Sequence, residues 1–340
     1  MDSCQCDKAG FCEYYNKVMT SSPPNWQWCQ GATPEERIKH KVSCQKAHIR
    51  ASSIRYISTK RLVDDCKRHL IPKLAEMDIS GIAGIPRSGF LPASICAVAL
   101  NMPLYGLSPE IGVQKMYCVS ENGGRRMEET STFSGKILLL DDTYGTGTSM
   151  NAVKEYLQSS DFLYGSLYAN PNKLDELDVH GVELQTPYLL EWALFNSGYM
   201  TRSYIDFDGI LCPNVPYEIA IDEDKYVEYI SNVKPIYDRL PRLYQCSGIV
   251  TARLEKYRDI TQAWLKKYNV NYDKLIMFPT ERQEERDKDH INEVSKFKAK
   301  HYAESNNFVF VESELHEARS IAKLSNKFVV CPDVEEIFHA

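Results

Sequence analysis

Lys136–Met150, KILLLDDTYGTGTSM, is the stretch on which the reading of the chain turns. Ile137 to Leu140 form an apolar run with no polar alternation, the pattern of a strand buried on both faces of a parallel sheet. The run ends in two adjacent carboxylates, Asp141 and Asp142. Thr143, Tyr144, Gly145, Thr146, Gly147 and Thr148 follow, rich in hydroxyls and glycine, and a helix can begin at about Ser149. Strand, acidic pair, Gly/Thr turn and helix N-terminus together suit a phosphorylated sugar. Backbone N–H groups and the helix dipole hold the phosphate, and threonine hydroxyls add donors. The two aspartates accept hydrogen bonds from ribose hydroxyls. The competing reading is an ordinary strand–turn–helix capped by Thr or Ser.

Upstream, ISGIAGIPRSGFLPASICAVALNMPLYGL carries the same grammar. Ile79 to Ile85 reads as a strand, Gly84 to Gly89 as a turn, Leu91 to Leu100 as an apolar helix and Leu104 to Leu107 as a further short strand. The turn offers the positive Arg87, the Ser88 hydroxyl, and Gly84 and Gly89, which let backbone approach a ligand. Alone it would be a Pro/Gly turn with a solvated arginine. Ahead of it, Leu62, Val63, Cys66, Leu70 and Leu74 recur at near-helical spacing between Ser58 and Met77. Between the two turns lies the polar stretch Ser108 to Ser134, with Gly123-Gly124-Arg125-Arg126 at its centre, which reads as a mobile positive hairpin. Beyond them, Phe162 to Ala169 reads as another strand.

Apolar run, Asp-Asp, then a loop ending Thr-Gly-Thr resembles the phosphoribosyl pyrophosphate (PRPP) motif of type I phosphoribosyltransferases. The resemblance implies that Asp141, Asp142 and Thr143 to Thr148 bind PRPP. It also implies that Gly84, Arg87, Ser88 and Gly89 hold the pyrophosphate, and that a loop in the Ser108 to Ser134 interval closes over the substrate. Closure excludes water, the competing nucleophile for an oxocarbenium-like anomeric carbon. Magnesium is the implied cofactor, and PRPP or a phosphoribosyl nucleotide the implied ligand. The accepting base is not legible, because base recognition lies in variable loops.

The C-terminal part repeats the strand-then-acid pattern. Ser203 to Leu211, SYIDFDGIL, puts Asp206 and Asp208 two residues apart, on the same side of an extended segment. CSGIVTARLEKY ends an apolar strand in Thr251, with Arg253 able to add charge; SKFKAKHYAE carries Lys298 and Lys300; NNFVFVESELHEARSIAKL ends a strand in Glu312-Ser313-Glu314. In that order the motifs resemble haloacid-dehalogenase-like (HAD-like) phosphohydrolases. The resemblance implies Asp206 as nucleophile, Asp208 as general acid/base, Thr251 as phosphate-binding hydroxyl and Lys298 as the neutralising cation, with Lys300 its rival. Asp206, Asp208 and Glu312 would hold magnesium. The last motif departs from the family's aspartates by offering glutamate, whose longer arm changes the geometry.

The fold expected is therefore α/β, with two Rossmann-like parallel-sheet domains and a small Cys-rich N-terminal segment. The limits read as residues 1–45, 46–197 (phosphoribosyltransferase-like) and 198–340 (HAD-like). In the N-terminal segment, Cys4, Cys6, Cys12 and Cys29 suit tetrahedral zinc in a segment too short for its own core, with His40, Cys44 and His48 as substitutes. Their spacing lacks paired C-x2-C knuckles, so reduced thiols without metal are the competing reading. The 340 residues are 43% hydrophobic and 25% charged, an ordinary globular composition. No apolar run is long enough to span a membrane, and the first residues do not form a secretory signal. A net charge of −6 argues against a general nucleic-acid footprint. The 11 cysteines without a signal read as mostly reduced thiols in a cytoplasmic protein. A second copy of the chain, or a protein of the same operon, are the macromolecular partners left open.

Three functions fit. The first is a bifunctional enzyme that makes or breaks an N-glycosidic bond with PRPP and removes a phosphate. The second is a PRPP- or nucleotide-sensing module, and the third an effector of a bacterial or phage defence system acting on nucleotides. The intact Asp141–Thr148 motif favours the first and third. Glu312 favours the second.

Overall fold

The computed structural model describes residues 54–107, 116–119, 127–130, 135–157 and 159–340. They divide into two compact units, one of Ile57–Tyr188 and one of Leu189–Ala340 with residues 54–56.

In the Ile57–Tyr188 unit, the Ser58 hydroxyl caps α1 (Thr59–Asp65), accepting from the Arg61 N–H at 3.0 Å. The apolar spacing over Ser58 to Met77 then passes through a π turn at Cys66–Leu70 into α2 (Ile71–Ala75). Pro72 has no N–H for the preceding turn, so the wider pattern absorbs the break. Next come β1 (Gly81–Gly84), α3 (Phe90–Leu100), β2 (Leu104–Gly106), β3 (Met116–Val119) and β4 (Met127–Thr130). Then follow β5 (Ile137–Tyr144), α4 (Thr148–Leu157), β6 (Phe162–Ala169) and β7 (Val179–Glu183). The sheet order is β4-β3-β2-β1-β5-β6-β7. Strands β2, β1, β5, β6 and β7 are parallel; β3 and β4 are added antiparallel. Ile137 to Leu140 are fully buried in the middle of this sheet, as an unalternating apolar strand requires.

Strand β5 outruns its apolar part. Its partner β6 continues to Ala169, pairing Asp141 with Ser166, Thr143 with Tyr168 and Tyr144 with Ala169. The acidic pair therefore lies inside the ladder rather than after it. The turn shrinks to Gly145–Gly147, and α4 starts at Thr148, one residue ahead of Ser149.

In the second unit the chain forms β8 (Ser203–Ile205), α5 (Tyr217–Ala220), α6 (Glu223–Asn232), β9 (Gly248–Leu254), α7 (Arg258–Lys267) and β10 (Leu275–Phe278). It continues with α8 (Gln283–Lys288), α9 (His290–Glu304), β11 (Val309–Val311), α10 (Leu315–Ser325), β12 (Phe328–Cys331) and β13 (Glu336–Phe338). The order is β10-β9-β8-β11-β12-β13, parallel except for β13. The strand period sorts the core into two layers. Ile205, Ile249, Val309, Val311 and Val330 join one cluster with Phe207 and Trp264. Tyr204, Val250, Phe310 and Val329 join the other with Phe278, Tyr302 and Ile321. A sheet apolar on both faces and covered on both is the α/β arrangement that places functional groups beyond the strand ends.

Candidate active sites

In the first unit the chain runs from β1 to β2 on one side, then returns to β5 on the other side of β1. The crevice beyond β1 and β5 is thus the topological switch point, where ligands of open α/β sheets bind. Gly84 pairs with Leu140, and the Ile85 N–H donates to the Leu140 carbonyl at 2.9 Å. The 85–89 turn and the Gly145–Gly147 turn therefore open side by side. Gly89 makes this possible: a Cβ there would stand 2.5 Å from the Ile85 oxygen and 2.7 Å from the Leu140 oxygen. Arg87 is exposed and Ser88 half-buried.

Asp141 and Asp142 are both buried, and the Asp142 N–H donates to Asp141 Oδ1 at 2.9 Å. Burial, and then the Asp142 charge beside it, push the Asp141 carboxyl up to about 8. Tyr188 adjoins them. Its hydroxyl is hydrogen-bonded to Thr143 and would lie 3.2 Å from a Cβ on Gly145; burial pushes it up to about 12.

The turn itself is held from one side. The Asn170 N–H donates to the Tyr144 carbonyl at 2.8 Å, and Asn170 Nδ2 donates to the Gly145 carbonyl at 3.3 Å. Lys173 Nζ donates to the Thr146 carbonyl at 3.0 Å, and the Asn151 N–H to the Gly147 carbonyl at 2.8 Å. Gly147 has φ +84°, and a Cβ there would meet the Tyr144 hydroxyl at 2.7 Å. That hydroxyl donates to Glu176 Oε2 at 2.5 Å.

In the second unit Asp206 follows β8, Thr251 lies within β9 and Glu312 follows β11, so the three share the carboxyl end of the sheet. Lys298, from α9, is buried among carboxylates. Its Nζ donates to Asp206 Oδ2 at 2.8 Å, Glu312 Oε2 at 2.7 Å and Glu317 Oε2 at 2.7 Å. Burial opposes its charge, but the three carboxylates outweigh that and hold the ammonium well above its ordinary range. Burial pushes Asp206 up to about 6, with Lys298 pulling the other way. Glu312 is driven well above the carboxylate range, by burial and then by Asp206. Asp206 Oδ1 is buried and has no hydrogen-bond partner among the described residues.

Asp208 is held separately. Arg253 Nε donates to its Oδ2 at 2.8 Å and Nη2 to its Oδ1 at 2.7 Å. The guanidinium lies 3.8 Å over the Phe207 ring, and the Cys212 thiol donates to Asp208 Oδ1 at 3.3 Å.

Among known proteins the chain is similar to the xanthine-guanine phosphoribosyltransferase of Chromohalobacter salexigens, at 31% identity over 118 residues, 34% of this chain and 69% of that protein. The chain belongs to the phosphoribosyltransferase family. No family model matches it. Among solved structures it is similar to the purine phosphoribosyltransferase of Pyrococcus horikoshii, with 18% identity, TM-score 0.30, and coverage of 40% of this chain and 92% of that one. It is also similar to the xanthine-guanine-hypoxanthine phosphoribosyltransferase of Helicobacter pylori, with 15% identity, TM-score 0.31, and coverage of 42% and 93%.

In this phosphoribosyltransferase the residues expected at the PRPP motif, Asp141 to Thr148, share the switch point with Gly84, Arg87, Ser88 and Gly89. Strands β3 and β4 pair Val119 with Met127, but the intervening 120–126, with Arg125 and Arg126, lie outside the described residues. So do Cys4, Cys6, Cys12 and Cys29, named for zinc. Lys298 rather than the exposed Lys300 reaches Asp206. The carboxylates expected to hold magnesium, Asp206, Asp208 and Glu312, are engaged by two cations of the chain itself. Among the described residues no group of three or more His, Cys, Asp or Glu stands where it could hold a metal ion. The physical reason is competition: Lys298 takes one oxygen each of Asp206 and Glu312, while Arg253 takes both oxygens of Asp208.

Sequence reasoning missed Glu317, Asn170, Lys173, Glu176 and Tyr188. Glu317 had a signal, since it falls in the first turn of the helix that starts behind Glu312. The others act through loops whose course no periodicity fixes. Arg253 was noted only as added charge, and its bond to Asp208 depends on a bulge after Thr251 that spacing does not reveal.

Proposed function

We propose that the Ile57–Tyr188 unit binds PRPP at the switch point and transfers its phosphoribosyl group to, or from, a nitrogenous base. The observation that carries this is the pairing of two turns beyond neighbouring parallel strands: a Gly/Thr turn backed by the buried Asp141–Asp142 pair, and a turn with an exposed Arg87. The 5′-phosphate sits at Gly145–Thr148, beside the start of α4, where N–H groups and the helix dipole favour an anion. Asp141 and Asp142 accept from the ribose 2′- and 3′-hydroxyls, and Arg87 with Ser88 faces the pyrophosphate. Asp141 and Asp142 are also the carboxylates that would hold magnesium. Their fit is chemical: a close, buried, oxygen-only pair with one carboxyl pushed up to about 8 gains from a cation. Magnesium, when bound, neutralises charge on the leaving pyrophosphate.

We further propose that the second unit is HAD-like and takes phosphomonoesters, so that a 5′-phosphorylated product of the first site could be a substrate of the second. Asp206 would attack phosphorus, Lys298 offset the negative charge, Thr251 donate to the phosphate, and Asp208 carry the proton of the leaving oxygen. Lys298 takes one oxygen each of Asp206 and Glu312, and Arg253 takes both oxygens of Asp208. A second reading has its own support. Lys298 ties one oxygen each of Asp206, Glu312 and Glu317 into a buried ion cluster, which suits a phosphate-sensing or structural site better than a working hydrolase.

The test is direct. The full chain, with PRPP, magnesium and a panel of bases that includes xanthine and guanine, is followed for pyrophosphate release and product mass. Release that depends on one base, and is lost in Asp141→Asn/Asp142→Asn, supports transfer. A chain that binds PRPP without turnover on any base leaves the sensing reading.

A further inference from the structure

We propose that Lys173, with Asn170 and Glu176, is a positioning device for the phosphate turn: it orients the turn's N–H groups without touching the ligand. The inference rests on the reading of Gly145–Thr148 as the 5′-phosphate site.

In a trans peptide the carbonyl of one residue and the N–H of the next point in opposite directions. The only cis bonds among the described residues are Pro86–Arg87 and Thr186–Pro187, so every peptide of this turn is trans. Four consecutive carbonyls, Tyr144 to Gly147, are engaged by protein donors: two from Asn170, one from Lys173 and one from the first turn of α4. With the carbonyls of Gly145, Thr146 and Gly147 held to the body of the unit, the N–H groups of Thr146, Gly147 and Thr148 turn the opposite way, the last of them lying 3.5 Å from the Thr146 hydroxyl. Successive N–H groups turned to one side make an anion-binding concavity.

Lys173 holds the middle peptide. Asn170 and Asn151 fix the peptides on either side, and among the described residues Lys173 is the one that fixes the Thr146 carbonyl, hence the Gly147 N–H at the centre of the turn. The lysine is itself steered by Glu176, 3.3 Å from its Nζ. Glu176 also receives the Tyr144 hydroxyl, and its backbone carbonyl accepts from Lys154 Nζ at 2.9 Å. Tyr144 in turn stands where a Gly147 side chain would go. Asn170, Lys173, Glu176 and Tyr144 thus form one network behind the turn. The backbone fold of Pro171–Glu176 is pinned by the Asn170 side chain, which accepts from the Asn172 N–H at 3.0 Å. Lys173 acts as a positioning residue: its ammonium is directed to the Thr146 carbonyl and to Glu176, which take two of its three N–H donors.

Calorimetry on the full chain separates this role from a general structural one. Ligands are ribose 5-phosphate, PRPP with magnesium, and pyrophosphate. Lys173→Ala is expected to weaken ribose 5-phosphate and PRPP by roughly tenfold, the loss that one backbone hydrogen bond brings. Pyrophosphate, bound at the Gly84–Gly89 turn, should keep its wild-type affinity, and Lys173→Arg should recover most of the loss. The Lys173 side chain is 30% exposed, so truncation should leave the fold standing, and a melting curve checks it. Unchanged affinity for ribose 5-phosphate in Lys173→Ala overturns the proposal. An equal fall for all three ligands does so too, since it marks general loosening. Wild-type protein that binds neither ribose 5-phosphate nor PRPP brings down the phosphate-site reading itself, a result distinguishable from both.

Discussion

Arg253 grips Asp208 with two parallel N–H···O bonds, 2.8 Å and 2.7 Å, while burying its own guanidinium to 1% exposure against the Phe207 ring. The pair is asymmetric. Asp208 is 20% exposed and also accepts from Cys212, whereas Arg253 Nη1 is buried and has no partner among the described residues. Removing the carboxylate therefore strands a buried cation, and removing the cation leaves a carboxylate that water can reach. Asp208→Ala should destabilise the chain by about 3–5 kcal/mol, the usual result of orphaning one member of a buried pair. Arg253→Met, which keeps apolar contact with Phe207, should cost about 1–3 kcal/mol. Urea unfolding followed by tryptophan fluorescence measures both. Equal losses would mean that the burial difference carries no energetic weight.

Among the described residues Lys298 is the cation that bonds Asp206, Glu312 and Glu317. Both Asp206, at about 6, and Glu312 have raised folded-state values. A raised carboxyl favours folding most at low pH, where it is protonated in both states, and that advantage is lost as pH climbs through the folded value. Stability of the second unit should thus fall between about pH 4 and 6 from Asp206 alone. Lys298→Met removes a cation that pulls these carboxyls down. The variant should be close to wild type at pH 5 and unfold at markedly lower temperature at pH 8. Melting temperatures at the two pH values give the answer, and parallel curves for the two proteins would refute the coupling.

How much of this was legible beforehand differs between elements for physical reasons. Ile137 to Leu140 could be placed because a strand buried on both faces must be apolar throughout, which few other structures demand. Gly89 and Gly147 could be singled out because only glycine tolerates their surroundings, one against two carbonyl oxygens and the other at φ +84°. Lys298 followed from the resemblance to HAD-like phosphohydrolases, with Lys300 as its rival, and the bonds of its Nζ to three carboxylates distinguish the two. The fate of Asp208 could not, since the Arg253 fork reaches it only through the register shift between Thr251 and Leu254. The extension of β5 to Tyr144 was hidden as well, because it depends on how far a partner strand runs. Lys173 and Glu176 sit in a 3-10 turn whose composition is that of any loop.

Gly147→Ala tests the turn by strain. A Cβ at φ +84° costs about 1–2 kcal/mol for an L-residue, and here it would also press on the Tyr144 ring, 2.9 Å from its Cζ. The variant should lose about 2–3 kcal/mol of stability and bind PRPP more weakly, because the peptide carrying the central N–H must rotate. Tyr144→Phe in the same chain removes the 2.7 Å contact and should restore part of the stability but not the affinity. Calorimetric PRPP titrations beside melting curves separate the two effects. Full recovery of affinity in the double variant would show that packing, not backbone conformation, sets the site.

Asp141 links the site to pH. Its carboxyl stands at about 8 against an ordinary value of 3.8, because it is buried and Asp142 is adjacent. Between those two values the unfolded chain releases the proton while the folded chain keeps it. Folding stability should therefore decline as pH rises across that window and level off above about 8, with a limiting slope of about 1.4 kcal/mol per pH unit for one proton. Asp141→Asn has no proton to lose, so the variant should overtake wild type in stability as pH increases from 5 to 8. Ligand binding should run in the opposite direction. Ribose hydroxyls donate best to a charged carboxylate, each such bond being worth about 1.5–3 kcal/mol. Wild-type affinity for PRPP with magnesium should then rise from pH 6 to 8, whereas Asp141→Asn should bind weakly with little pH dependence. Denaturant titrations of both proteins at pH 5, 6.5 and 8, each paired with a PRPP titration, test the two halves together. A wild-type stability that is flat across this range, or a PRPP affinity that falls towards pH 8, would remove Asp141 as the titrating group.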